Sequence, residues 1–193
     1  MGVPRIETGP MTIADFYAFT DTRPDEERWE LIEGEPVLNA TPSRLHQIIF
    51  LNVTSLLRNA LLESTSWEVL PGLGLKLSDV SRPEPDVIIR PKTAPYDDPK
   101  SRDCDDAIIV FEILSPSTAN RDLRWKRKAY ASLPDVKEYI VIAQDAVEVV
   151  VYARRAGFAE HRLESMNSAL ELADLGIVLT LADIYRDTGL SQS

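Results

Sequence analysis

Short apolar runs alternate along this chain with polar stretches rich in proline, and two longer segments carry helical periodicity. Leu45, Ile48, Ile49, Val53, Leu56, Leu57, Ala60 and Leu61 recur at helical spacing behind a capping Ser43, which predicts a long helix with one broad apolar stripe. A second helix is expected from Thr118 or Asn120 to about Ser132, where Pro134-Asp135 breaks it. A short helix follows from Thr12 and the acid three residues on, and another from residues 181–185. Residues 28–38 read as a β-hairpin turning at Gly34, and residues 67–70 and 73–77 as paired strands around Pro71-Gly72. Further strands are expected at 86–90, 107–114, 138–142 and 147–152, with a weaker one at 159–163; residues 91–105 read as a polar loop.

The helix between the strands at 107–114 and 138–142 makes a crossover, which should be right-handed and join parallel strands. The expectation is one α/β domain over residues 11–187, a mixed sheet flanked by helices, with flexible ends at 1–10 and 188–193.

Two carboxylates break this apolar pattern. Asp86 ends Arg82-Pro-Glu-Pro-Asp86 and opens Val87-Ile-Ile89; Glu112 interrupts the otherwise apolar run 107–114. A strand apolar on both faces is central in a sheet, and an uncompensated carboxylate there costs several kcal/mol. A cation, a set of donors or a metal must compensate. If the two strands are neighbours, the acids meet at one end of the sheet, and two hard oxygen ligands suit magnesium or manganese rather than zinc. Lys126 lies on the following helix; packed across the strand end, its ammonium could orient a water or offset charge on a phosphate. Spacing alone leaves this open, because carboxylates at strand ends are often structural.

Composition narrows the classes. The 193 residues are 44% hydrophobic and 27% charged, as in ordinary globular domains. No apolar stretch is long enough for a membrane span, and residues 1–10 lack the apolar core of a secretory signal, so a cytoplasmic protein without a membrane partner is expected. Cys104 is the single cysteine, which excludes an intramolecular disulfide and a Cys-rich metal site; its acidic neighbours should raise its pKa. The net charge of −10 argues against broad electrostatic binding of nucleic acid, but Arg121, Arg124, Lys126, Arg127 and Lys128 form one basic stretch. That stretch serves equally as a phosphate contact or as a solvated helix face.

The wording of several segments resembles a known family. These are Pro85-Asp86; Glu112-Ile-Leu-Ser-Pro-Ser-Thr118; Asp122, Lys126 and Tyr130 at four-residue steps; and Val136-Lys-Glu-Tyr139. Trp29-Glu-Leu-Ile-Glu-Gly-Glu35, Pro42 with His46, and Leu175-Gly-Ile-Val-Leu-Thr-Leu-Ala-Asp-Ile-Tyr185 extend the likeness from about Met11 to Tyr185. Together they resemble the Uma-two family of predicted endonucleases, of the PD-(D/E)XK restriction-endonuclease-like superfamily. The resemblance implies a restriction-endonuclease-like fold, with Asp86 and Glu112 as metal-binding acids and magnesium or manganese as cofactor. The superfamily lysine would stand two residues after the Glu, where this chain has Leu114; a helix lysine takes over, and Lys126 matches, with Lys128 its nearby competitor. The steps of four from Asp122 to Lys126 to Tyr130 put the three on one helix face.

Glu30 and His46 match further family positions. Glu30 reads as a supporting acid or as a hairpin ion pair. His46 reads more readily as a hydrogen-bonded helix histidine than as a site residue, and Tyr130 as a packing residue with its hydroxyl on an acid. Ser115 and Ser117 could donate to a phosphate, although helix capping is their commoner role.

The expected function is a metal-dependent endonuclease that hydrolyses phosphodiester bonds in DNA by metal-activated water. Asp86, Glu112 and the Ile113 carbonyl would hold the ion, Lys126 would assist, and Arg121, Arg124 and Arg127 would meet the phosphate backbone. Cutting both strands would be easiest as a homodimer. Two rivals are a non-catalytic relative that binds a nucleic acid or protein partner, and a hydrolase of small phosphorylated metabolites.

Overall fold

The computed structural model describes residues 9–92, 98, 100–114 and 119–191, the side chains of 119–123 excepted. The elements in chain order are α1 (Ile13–Thr20), β1 (Trp29–Ile32), β2 (Glu35–Leu38), α2 (Arg44–Ala60), β3 (Trp67–Pro71), β4 (Gly74–Leu75), β5 (Val87–Pro91), β6 (Asp103–Cys104), β7 (Ile109–Leu114), α3 (Ala119–Ser132), β8 (Glu138–Ala143), β9 (Val149–Ala153), β10 (Glu160–Leu163), β11 (Ala169–Leu172), β12 (Ile177–Thr180) and α4 (Leu181–Ile184).

The main sheet has the order β10-β9-β8-β7-β5-β3. β7 and β8 run parallel around α3, as the crossover requires, while β5 pairs with β7 antiparallel. The central strands are buried on both faces, and their side chains divide with period two. Val87, Ile89, Ile109, Phe111, Ile113, Ile140 and Ile142 enter the cluster that α2 covers with Ile49, Val53 and Leu57. Ile88, Val110, Tyr139 and Val141 face the other way and meet Tyr130 of α3. Glu112 lies between Phe111 and Ile113, so the same alternation turns it toward α3.

Local chemistry sets the ends of the elements. Thr12 and Asp15 close a capping box on α1. Ser43 caps α2 by accepting the His46 N–H and also donates to Gln144 at the exit of β8. The β1–β2 hairpin turns through Glu33 and Gly34, both left-handed (φ 51° and 83°), the twist a two-residue hairpin needs. A Cβ on Gly34 would stand 2.2 Å from Pro10 Cβ, so glycine is required there twice over. Near the C-terminus, Asn52 of α2 donates to the carbonyls of Ile184 and Arg186; Thr188 is buried and Leu190 packs on the core.

Four expectations are corrected. Residues 67–71 and 73–77 do not form a hairpin: β3 pairs with β5, and Gly72 N–H extends that ladder to the Asp86 carbonyl. A strand buried on both faces needs two neighbours, and β3 supplies the second one for β5. β4 pairs instead with β6, so a strand lies within 91–105, and Cys104 is buried there rather than in an open loop. Burial first, and then Asp106, pushes its thiol up to about 12. The β11–β12 hairpin was not foreseen, although both strands alternate buried and exposed positions. The apolar stripe of α2 is narrower than expected, since Ala60 is exposed.

Candidate active site

Val87 and Phe111 are the last registered pair of the β5–β7 ladder. One step further, the chain places Asp86 opposite Glu112. The ladder ends because Asp86 substitutes its side chain for the next backbone acceptor: Ile113 N–H donates to Asp86 Oδ2 at 2.7 Å. N–H and C=O of a strand residue point to the same side. The Ile113 carbonyl therefore opens toward Asp86 as well.

α3 lies across this strand end. Lys126 Nζ donates to Glu112 Oε1 and to Glu30 Oε1, each at 2.9 Å, and the Tyr130 hydroxyl donates to Glu112 Oε1 at 3.0 Å. Lys126 and Tyr130 are one helical step apart, which puts both on the face that meets the sheet. Glu30 comes from β1, and its Oε1 also accepts the Glu84 N–H at 2.8 Å. Glu30, Glu112 and Lys126 are only 4%, 5% and 7% exposed. From α2, His46 Nε2 approaches Asp86 Oδ1 to 3.2 Å.

One ammonium thus bridges two carboxylates, while a third, Asp86, stands near Glu112. Burial pushes the Glu112 carboxyl from 4.5 up to about 7; Lys126 pulls it back, while Asp86 and Glu30 add to the rise. Burial alone would lower the Lys126 pKa, but Glu112 and Glu30 outweigh it and hold the ammonium charged. The two directions agree physically: a cation shared by two carboxylates is fully compensated, whereas one cation cannot compensate every carboxylate around it. Burial, followed by Glu112, also pushes the Tyr130 phenol up, so it stays a neutral donor.

The group lines a cleft of about 310 Å³. Glu30, His46, Asp86, Glu112, Ile113 and Lys126, all expected from the sequence, reach it, and Tyr130 stands behind Glu112. His46 thus reaches the cleft from the first turn of α2. Glu30 pairs with Lys126 of α3 rather than within the hairpin. Lys128 is exposed on another face of α3, whereas Lys126 meets Glu112. Arg124 is exposed. Arg127 is tied to the Phe158 carbonyl and lies 4.6 Å over the Tyr152 ring, so its guanidinium already has a structural role away from the cleft. The side chains of Arg121 and Asp122, and residues Ser115 and Ser117, fall outside the described residues.

Arg28, Glu84 and the polar rim of Asn39, Thr41, Ser43 and Gln144 also line the cleft and were not foreseen. Alternation within Arg82-Pro-Glu-Pro-Asp86 is the signal that could have found Glu84, because every second residue of an extended segment shares a side.

The arrangement of helices and strands is also that of a solved structure. That structure, described as a putative nuclease belonging to DUF820 from Anabaena variabilis ATCC 29413, is similar with a TM-score of 0.77 at 15% identity, over 91% of this chain and 98% of that one. At that identity the likeness concerns the fold. A model of the Uma2 family, described as a putative restriction endonuclease, matches residues 13–182, and the chain belongs to this family. No curated protein matches it.

Proposed function

We propose that the protein is a divalent-metal-dependent endonuclease that hydrolyses phosphodiester bonds in DNA, with Asp86, Glu112 and Lys126 at its centre. The observation that carries this reading is the meeting of Asp86 and Glu112 at the end of the β5–β7 ladder, with Lys126 held over them by Glu30. Membership of the Uma2 family supports it.

The residues present fit a hard cation. Three carboxylates against one ammonium leave an excess of negative charge in a buried site. Glu112 spends Oε1 on Lys126 and Tyr130, and among the described residues its Oε2 makes no hydrogen bond. Asp86, Glu112 and the Ile113 carbonyl would hold magnesium or manganese, oxygen donors suited to either ion. When bound, the ion supplies a Lewis acid and lowers the pKa of water at the site.

The protein's own groups do the rest. Lys126 spends two of its three N–H donors on Glu30 and Glu112, and the third serves a phosphate oxygen or the attacking water. Tyr130 fixes the orientation of Glu112. Arg28 and the neutral rim residues offer contacts to the substrate backbone, and Arg124 offers one from α3.

The test is nicking of supercoiled plasmid with magnesium or manganese by the wild type, Asp86→Ala and Glu112→Ala. Loss of cutting in both variants, and in chelator with the wild type, is expected. Undiminished cutting by either variant would refute the assignment.

The net charge of −10 favours one second reading, a nuclease-fold protein that binds its partner without cleaving it. Metal-dependent thermal stabilisation without nicking would identify it.

A further inference from the structure

We infer that His46 is itself a ligand of the cation, through Nε2, and that the site therefore prefers manganese-type ions to magnesium. The inference rests on the metal-dependent reading above and adds a donor and a selectivity to it.

His46 Nε2 and Asp86 Oδ1 stand 3.2 Å apart at the wall of the cleft. The pair is within ion-pairing distance for a protonated ring, and the other ring nitrogen, Nδ1, makes no hydrogen bond among the described residues. Two donors at right angles around an ion with bonds of about 2.1 Å stand about 3 Å apart, close to the separation seen. The other nitrogen, Nδ1, is buried without a partner. Nε2 is thus the atom the ring offers.

The ring is held in place from the backbone outward. Ser43 accepts the His46 N–H and donates to Gln144 Oε1 at 2.6 Å, which pins the first turn of α2 to the end of β8. His46 also stacks on Phe50, with ring centroids 6.4 Å apart. Asp86 is fixed from its other oxygen by Ile113 N–H. The two donors therefore belong to two elements locked independently, and their approach does not depend on a bond between them.

Among the described residues no group of three or more His, Cys, Asp or Glu side chains is already gathered to hold a metal ion. The preorganised part of the shell is the His46–Asp86 pair, with Glu112, the Ile113 carbonyl and water completing it. Imidazole is a poor ligand for magnesium and a good one for the softer first-row ions.

Manganese-loaded wild type should show nitrogen-14 modulation from one imidazole in pulsed electron paramagnetic resonance. The signal should persist in His161→Ala, the only other histidine, and vanish in His46→Ala. Manganese affinity, followed by the same resonance, should fall at least about tenfold in His46→Ala, and magnesium affinity, followed by calorimetry, less than about threefold. Absence of the nitrogen signal in the wild type overturns the inference without any variant. Equal losses for the two ions would mean that His46 merely positions Asp86, and unchanged affinities would give it no role; either result overturns the inference while leaving the metal-dependent reading intact. A wild type that binds neither ion sinks both.

Discussion

Lys126→Met tests the centre of the site most directly. Methionine keeps the unbranched length of the side chain and removes the charge. Lys126 is 7% exposed and its ammonium bridges Glu30 and Glu112 at 2.9 Å each, so its loss leaves two neighbouring buried carboxylates without their cation. Removing one partner of a buried ion pair costs about 3–5 kcal/mol. The cost depends on pH, because Lys126 is the main influence that lowers the Glu112 pKa against burial. Without it the Glu112 pKa rises further above its unfolded value, so the variant retains a proton at low pH and must give it up, or keep it at a cost, as pH rises. At about pH 5 Glu112 is protonated and can donate to Glu30, and the loss shrinks to less than about 2 kcal/mol; near pH 8 it reaches the full figure. Urea unfolding of the wild type and the variant at both values measures the difference. A loss below about 1 kcal/mol near pH 8, or one that does not change with pH, would mean that the ammonium does not compensate these carboxylates.

Two further outcomes follow from the same geometry. In the wild type, the Glu112 pKa lies above its unfolded 4.5, so its contribution to stability is fully present below about 4.5 and is lost as pH rises through about 7. That loss amounts to about 3 kcal/mol for a rise of this size, and the urea midpoint plotted against pH should flatten over that window in Glu112→Gln; a wild-type curve already flat there would contradict the burial of Glu112. At Gly74 a Cβ would stand 2.1–2.2 Å from the Arg82 guanidinium, which is 4% exposed and bound to Glu84 and the Arg102 carbonyl. Gly74→Ala should therefore destabilise by about 1–3 kcal/mol in thermal or urea unfolding, and a neutral result would show that Arg82 can move aside freely.

Much of the architecture was legible because the central strands are apolar on both faces and α2 carries its stripe at helical spacing. Periodicity reports which face is buried; it does not report the partner. That is why residues 67–70 point to a pairing with 73–77 when the structure pairs them with β5, and why β6, two residues long, hides in a segment that reads as loop. The Asp86–Glu112 pair was visible as two carboxylates in places where burial is costly. The nearness of His46 to Asp86 is not legible, because nothing local links the first turn of α2 to residue 86.

By itself the chain determined the helices and central strands, the two misplaced carboxylates, and the single helix face shared by Lys126 and Tyr130, since these depend on spacing along one backbone. Only the tertiary structure decided that Glu30 of the hairpin, His46 of α2, Asp86 just before β5 and Lys126 of α3 close on one cleft. Contacts between residues 40 to 96 positions apart are fixed by the packing of whole elements, and no local pattern encodes which distant side chain will balance a buried charge.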